Sequence, residues 1–547
     1  MLQKIVSCLA LVVTAVVALA GQQRSLAVTA LAGFEISGTL VNANTGQPIP
    51  RARVAIAPVT QRDNFTTLIT HEDGRFTFPN LTPGKYTLTA QARGYLLQSF
   101  NQHDQLSSSI VVGPDLDSSN LLFRLAPEGA ISGVVTDEAG EPVRNAQVML
   151  YFTGLSAGID ATRPRGGTRT NDEGAYHFGH LLPGHYLVAV SAQPWYAQHV
   201  TPQDGSMDTP PGQIAFDPQA ARPLDVAYPV TFSGGVTDAG AAVPIVLGHG
   251  DKAVADVSLQ PVPAVRMRLP ESVDFNRGSR VELQKRVLEG PPVRVATQFR
   301  GNSQGRMEIV GLAPGRYTLT TNLPGPEAEK AQSQEIDIDS NGEIDSNQAN
   351  VYVPVSAKVQ FDGGAPAGQP TLQLLNKKSG EAVSAPIGSD GTLVFRQGVV
   401  PGAYEVSLFT NSGAYAKSIT AAGARVTGRT IEIRPGAEVR LAIGATVGQG
   451  SITGTALREG KPLAGAMIVL VPADPAHNQV LFRRDQSDSD GTFALANVVP
   501  GAYTLLALEN GWDLAWMKPE VLKNYLGRGA AVQVQPNGKY ELKVAVQ

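Results

Sequence analysis

The chain has 547 residues, with 44 Lys and Arg against 48 Asp and Glu, for a formal net charge of -4. That length exceeds what one hydrophobic core organises, so several domains are expected. The balanced charge, free of long runs, excludes a nucleic-acid or anionic-membrane partner held by bulk electrostatics.

The first element is the segment "MLQKIVSCLALVVTAVVALAGQQ", in which Lys4 precedes an uncharged run from Ile5 to Ala20. A basic start, an apolar middle and a small-residue end make the pattern of a secretory signal, assigned to 1–27. An uncleaved anchor is the alternative, although 16 residues fall short of the roughly 17–25 that a membrane span needs. The mature chain is therefore expected outside the cytoplasm (in the periplasm, at the cell surface or secreted), with no transmembrane domain beyond the signal. Cys8, the only cysteine, lies inside this segment. Disulfides, cysteine–zinc sites and a cysteine nucleophile are excluded from the rest.

Beyond it one phrase recurs: "PGKYTLTA" at 83, "PGHYLVAV" at 183, "PGRYTLTT" at 314, "PGAYEVSL" at 401 and "PGAYTLLA" at 500. A second turn precedes each Pro-Gly, with its glycine at Gly74, Gly174, Gly305, Gly391 and Gly491, giving offsets of 9, 9, 9, 10 and 9 residues. Asp-Gly suits a tight hairpin because glycine takes positive φ without steric cost. Pro-Gly presets the first φ of a turn and frees the second. Apolar residues alternate after it, as in Tyr86, Leu88 and Ala90, which is the period of a half-buried strand.

Upstream, three stretches open alike, at "ISGTLVNANTGQPIPRARVAI" (36), "ISGVVTDEAGEPVRNAQVML" (131) and "ITGTALREGKPLAGAMIVLV" (452). Downstream each unit ends in two short strands read as a closing hairpin, for example "TIEIRPGAEVRLAI". Short strands with turn signals at this spacing predict an all-β fold of five tandem antiparallel Ig-like or transthyretin-like β-sandwiches. The expected units are 33–127, 128–262 (with a long insertion), 263–354, 355–444 and 445–547, the third and fourth divergent. Few contacts are expected to cross their boundaries. The residues "PEVLKNYL" (519–526) predict one short helix opened by Pro519 and Glu520.

Gly-x-Pro, then Asp-Gly-x-Phe, then Leu-x-Pro-Gly-x-Tyr resembles the carboxypeptidase regulatory-like domain. That resemblance implies a transthyretin-like, carbohydrate-binding-like sandwich found in tandem in secreted bacterial proteins. It does not imply peptidase activity. Related sandwiches of Gram-positive adhesins often carry a Lys–Asn isopeptide bond, but the opening strands "FEISGTL", "AISGVVT" and "SITGTAL" contain no Lys to form one.

Several motifs suggest chemistry. Gly-x-Ser-x-Gly occurs around Ser156 and Ser303, yet a nucleophile elbow needs a strand-to-helix turn. Ser303 falls in a hairpin turn and Ser156 in a Gly-rich loop. His177, His180 and His185 cluster, but residues three apart on a strand face opposite ways. Asp337, Asp339, Asn341 and Gly342 begin like a calcium loop whose twelfth residue is Gln348 rather than the needed Glu, so a hairpin turn is favoured and weak calcium binding stays open. No metal, cofactor or catalytic residue is assigned.

The aromatics nine residues after the repeated tyrosine are Tyr95, Trp195 and Trp512, with Tyr196 and Trp516 close by. They are the candidate ligand-binding residues, either as stacking faces for a sugar ring or as plugs closing a core. The reading is an exported, non-enzymatic binding module for carbohydrate or another surface polymer. The alternative is a structural stalk or protein-interaction scaffold at the cell envelope. The partner is then a polysaccharide or a cell-envelope protein.

Overall fold

A computed structural model describes residues 33–547 apart from 157, 200–223, 272, 274, 289–292, 296–297, 302–305, 323–331, 345–351, 365–367, 397 and 437. The expected signal segment, Ser303 and Gln348 lie outside the described residues. The fold is 55% strand and 4% helix, and Pro519–Leu526 forms the short helix, with Leu522 buried beneath it.

Five separate apolar clusters follow the chain, centred on Tyr86, Tyr186, Tyr317, Tyr404 and Tyr503. Each repeated tyrosine is at most 6% exposed. Each hydroxyl also donates to the backbone carbonyl four residues earlier: Tyr86 to Thr82 (2.9 Å), Tyr186 to Leu182 (2.7 Å), Tyr317 to Ala313 (2.6 Å), Tyr404 to Val400 (2.8 Å) and Tyr503 to Val499 (2.7 Å). The ring fills the core while its one polar atom is satisfied across the Pro-Gly turn.

That turn is a corner between two sheets, not a hairpin. In the first repeat Arg75–Leu81 pairs with the opening strand Phe34–Asn42, whereas Gly84–Gln91 pairs with Arg53–Pro58 in the facing sheet. The Asp-Gly turn also changes sheets, since Thr66–Ile69 before it pairs with Arg53–Pro58. The second, fourth and fifth repeats are built the same way. In the third, Gln298–Gly301 and Met307–Leu312 do pair as a hairpin. A corner is favoured because strands on either side of it both carry an apolar face, and these faces can share a core only from opposite sheets.

The closing hairpins are likewise split between sheets. Ile110–Val112 joins the tyrosine strand, while Leu121–Leu125 runs parallel to the opening strand. The sandwiches are therefore antiparallel except for a parallel pair on each opening strand. Glycine permits that approach. A Cβ on Gly454 would sit 2.0 Å from the Leu542 carbonyl oxygen and 2.7 Å from Phe493. At the Asp-Gly turn, Gly391 has φ +82° and would meet the Val359 oxygen at 2.3 Å; its own carbonyl accepts the Val359 N–H at 2.8 Å.

The second and fifth repeats bury both faces of their inner strands. Met467–Pro472 is buried at every position, and the outer side of this sheet is covered by Phe482, Trp516 and Leu522. In the second repeat Met149, Tyr151, Leu187 and Phe232 form the equivalent outer cluster, joined by Val287 from the third.

Truncating Tyr503 to Ala should destabilise the last repeat by roughly 3–5 kcal/mol, the cost of emptying an aromatic site. Tyr503→Phe should cost only about 1 kcal/mol, for the lost hydroxyl bond. Thermal melting with amide exchange of strand 501–508 would measure both, and equal losses would show that the hydroxyl, not the ring, holds the corner.

Candidate functional site

The five candidate aromatics do not form one site. Tyr95 accepts a hydrogen bond from Asn42 Nδ2 (3.0 Å) and bridges to Pro127, at the junction between the first and second repeats. Trp195 projects into solvent with 87% exposure. It meets Tyr196 edge-on, with ring centres 5.9 Å apart and planes at 89°. The loop beneath them is anchored, because the Tyr196 and Tyr228 hydroxyls both donate to the Glu138 carboxylate. Burial works against the ionised form of Glu138, but the two hydroxyls outweigh it and hold its pKa below the ordinary value. Burial, then the adjacent carboxylate, pushes the Tyr196 hydroxyl up to about 12.

The other two tryptophans are engaged within the molecule. Trp516 is 5% exposed, 5.6 Å from Phe482 and 4.8 Å from the Arg484 guanidinium carbon. Gly158 of the second repeat lies against its indole, where a Cβ would come within 2.5 Å. Trp512 stacks on His103 of the first repeat, with centres 4.5 Å apart and planes 7° from parallel. In this arrangement no ligand reaches the face of Trp516.

That stack is one edge of a polar contact between the first and last repeats. Lys85, from the first Pro-Gly-Lys-Tyr, reaches Asp488 (2.5 Å) and Thr492 (2.8 Å). The second Asp488 oxygen accepts the Ser109 N–H at 2.8 Å. Ser489 exchanges two bonds with this edge, accepting from the Val111 N–H (2.8 Å) and donating its own N–H to the Ser109 carbonyl (3.0 Å). Gln486 donates to the Asn101 carbonyl and to Ser108, while Arg484 pairs with Asp104 at 3.0 Å. Ser108, Gln486 and Ser487 are all at most 2% exposed. The expectation that few contacts cross between repeats fails here. The last repeat presents its Gln-Ser-Asp-Ser turn to the edge strand of the first, and the buried side chains of Ser108 and Gln486 find partners there.

The fourth and fifth repeats also meet. Glu405, wholly buried, accepts the Val480 N–H at 3.0 Å through Oε2, while Oε1 has no partner. Burial raises its pKa to about 7, with Lys377 and Arg429 opposing the shift.

The remaining motifs are structural. Asp337 lies in the strand Gln332–Ile338 and is held by Arg316 at 2.8 Å, not in a loop. Ile344 belongs to the third core. Ser156 ends a strand instead of lying in a loop, and His180 pairs with Glu128. Among the described residues no three His, Cys, Asp or Glu side chains form a metal-binding group, and no helix is long and apolar enough to cross a membrane.

Sequence reasoning missed the contact between repeats, although a signal for part of it was present. "KYTLTA" alternates, as a strand covered on one face should, but "MIVLVP" and "YLVAV" are continuous apolar runs. Such runs mark strands covered on both faces.

The profile of the carboxypeptidase regulatory-like domain matches residues 35–118 and 130–213. Colossin-A of Dictyostelium discoideum is 24% identical over 204 residues, 33% of this chain; the match spans 2% of that protein's length. Among solved structures, the Bacillus anthracis TIE protein is similar over 95% of this chain and 69% of its own, at 12% identity and a TM-score of 0.16. The GBS52 minor pilin of Streptococcus agalactiae is similar over 42% of this chain and 96% of its own, at 12% identity and a TM-score of 0.21.

Because Glu405 has a raised pKa, the folded chain binds its proton more tightly than the unfolded chain does. Its contribution to stability is full below about pH 4.5 and is lost as pH rises to about 7. The loss is at most about 3 kcal/mol. The melting temperature of the natural chain should therefore fall, relative to Glu405→Gln, between about pH 5 and pH 8. Parallel curves for the two proteins would show that Glu405 ionises freely.

Proposed function

The chain carries tandem carboxypeptidase regulatory-like domains, and from that premise we propose a non-enzymatic, extracytoplasmic binding protein for a polysaccharide or related surface polymer. The proposed units are 33–127, 128–262, 263–354, 355–444 and 445–547; the core around Tyr404 also takes in Val353 and Ala445, just outside the fourth unit's bounds.

The observation that carries the reading is Trp195. Leaving an indole 87% exposed contributes little to folding, whereas a flat apolar face with a polar rim suits a sugar ring. The platform is preorganised, because Tyr196 is tied down through Glu138 and little ordering entropy remains to be lost on binding. Trp512 and Trp516 support folding and assembly instead.

A second reading, a scaffold for envelope proteins, is favoured by the contact between the first and last repeats. Closing the chain on itself gives a body of defined shape rather than a flexible string of units.

In a polysaccharide pull-down with the full mature chain, Trp195→Ala should lower retention about tenfold or more, as loss of a central aromatic anchor does. Its melting should stay within about 0.5 kcal/mol of the natural chain. Trp512→Ala should leave retention intact. If Trp195→Ala binds as well as the natural chain, the platform reading fails. For the scaffold, Asp488→Ala should release the first repeat from the last, seen as a larger radius of gyration in X-ray scattering. An unchanged radius would mean that this contact is not what closes the body.

A further inference from the structure

Where the second and third repeats meet, a cleft of about 310 Å³ is lined by Arg144, Arg169, Gln193, Tyr228, Lys285 and Tyr317, among others, and no carboxylate lines it. The volume lies at the lower end of small-ligand sites, which run from about 300 Å³ upward. Strand alternation places the lysine. Leu283 enters the third core and Val287 enters the outer cluster of the second repeat. Lys285, between them, faces the same way into the seam.

The lysine ammonium lies 5.3 Å from the centre of the Tyr317 ring. It makes no hydrogen bond or ion pair with any described residue. Burial, with no acid to offset it, holds its pKa below the ordinary lysine value. Arg144 and Arg169 also lack ion-pair partners among the described residues, and Arg169 is steadied by donating to the Asn145 carbonyl at 3.3 Å. Two acids at this junction are already engaged. Asp225 is held by Arg266 and by His199 (2.8 Å), and Glu138 by two tyrosines.

Three cations from two repeats thus converge on one cleft without a counter-charge, although the chain as a whole is slightly acidic. A half-buried ammonium with no partner is costly to folding, and positions that keep such a cost are those where a ligand supplies the missing charge. We propose that this cleft binds the carboxylate of an acidic sugar residue. Lys285 and the two arginines take the carboxylate. Neither Trp195 nor Tyr196 lines the cleft.

The test is calorimetric titration of the full mature chain with trigalacturonate, with the neutral galactose trimer and with inorganic phosphate. Trigalacturonate should bind, weakening as salt rises from about 0.05 to 0.5 M, and the neutral trimer should bind at least about tenfold more weakly. Lys285→Met should reduce trigalacturonate affinity about tenfold, the loss of a charge-assisted bond, without lowering the melting temperature. Arg144→Ala combined with Arg169→Ala should weaken it similarly, and these exposed positions decide the matter if Lys285→Met does not fold. Trp195→Ala should leave the trimer's affinity within about twofold, which separates this site from the platform. Equal binding of the neutral trimer, phosphate binding without trigalacturonate binding, or unchanged affinity in the folded variants would each overturn the proposal.

Discussion

The bond from each repeated tyrosine to the carbonyl four residues before it is the constraint on which the rest of the molecule depends. It closes a corner at which the chain leaves one sheet and enters the facing one. A tyrosine is needed because the site asks for two things at once. The ring must fill the middle of a thin sandwich, and a polar tip must satisfy a backbone carbonyl that the corner would otherwise strand. Pro-Gly sets the turn, and burial pushes the Tyr503 hydroxyl up to about 12, so it stays a donor across the physiological range.

Once the corners are set, the glycines of the opening strands follow. The closing strand must lie beside the opening one in parallel, and a side chain at Gly38 or Gly454 would strike its carbonyls. In the first, second and fifth repeats the recurring Ser-Gly or Thr-Gly of the opening strand therefore serves close packing, not flexibility. The divergent third and fourth repeats lack these glycines, but they keep the tyrosine bond and the parallel closing strand. Of the two devices, the corner is the less dispensable.

The junctions between repeats follow another logic. Cores within repeats are almost wholly apolar, whereas Asp225, Glu405, Gln486 and Asp488 gather where repeats meet. A buried polar group is least costly with a partner in fixed geometry, so such groups specify one relative placement of two sandwiches more sharply than apolar contact does. Lys85 and Asp488 illustrate this. They are 403 positions apart, and both hydrogen bonds to the Asp488 carboxylate, from Lys85 and from the Ser109 N–H, come from the first repeat.

The sequence by itself determined the all-β character, the repeated unit, the buried tyrosines and the short helix after Trp516. These rest on local rules: strand alternation, the φ preferences of Pro and Gly, and the repetition of one pattern. It also named Trp195, Trp512 and Trp516 as a set, because spacing exposes recurrence. Only the tertiary structure decided that the turns are corners, since a turn sequence sets local dihedrals and not the sheet in which the next strand pairs. It alone separated Trp195, left in solvent, from Trp512 and Trp516, covered by His103 and Gly158 of other repeats. Periodicity along one strand reports which of its own faces is buried. What covers the other face comes from distant chain, and no local pattern carries that information.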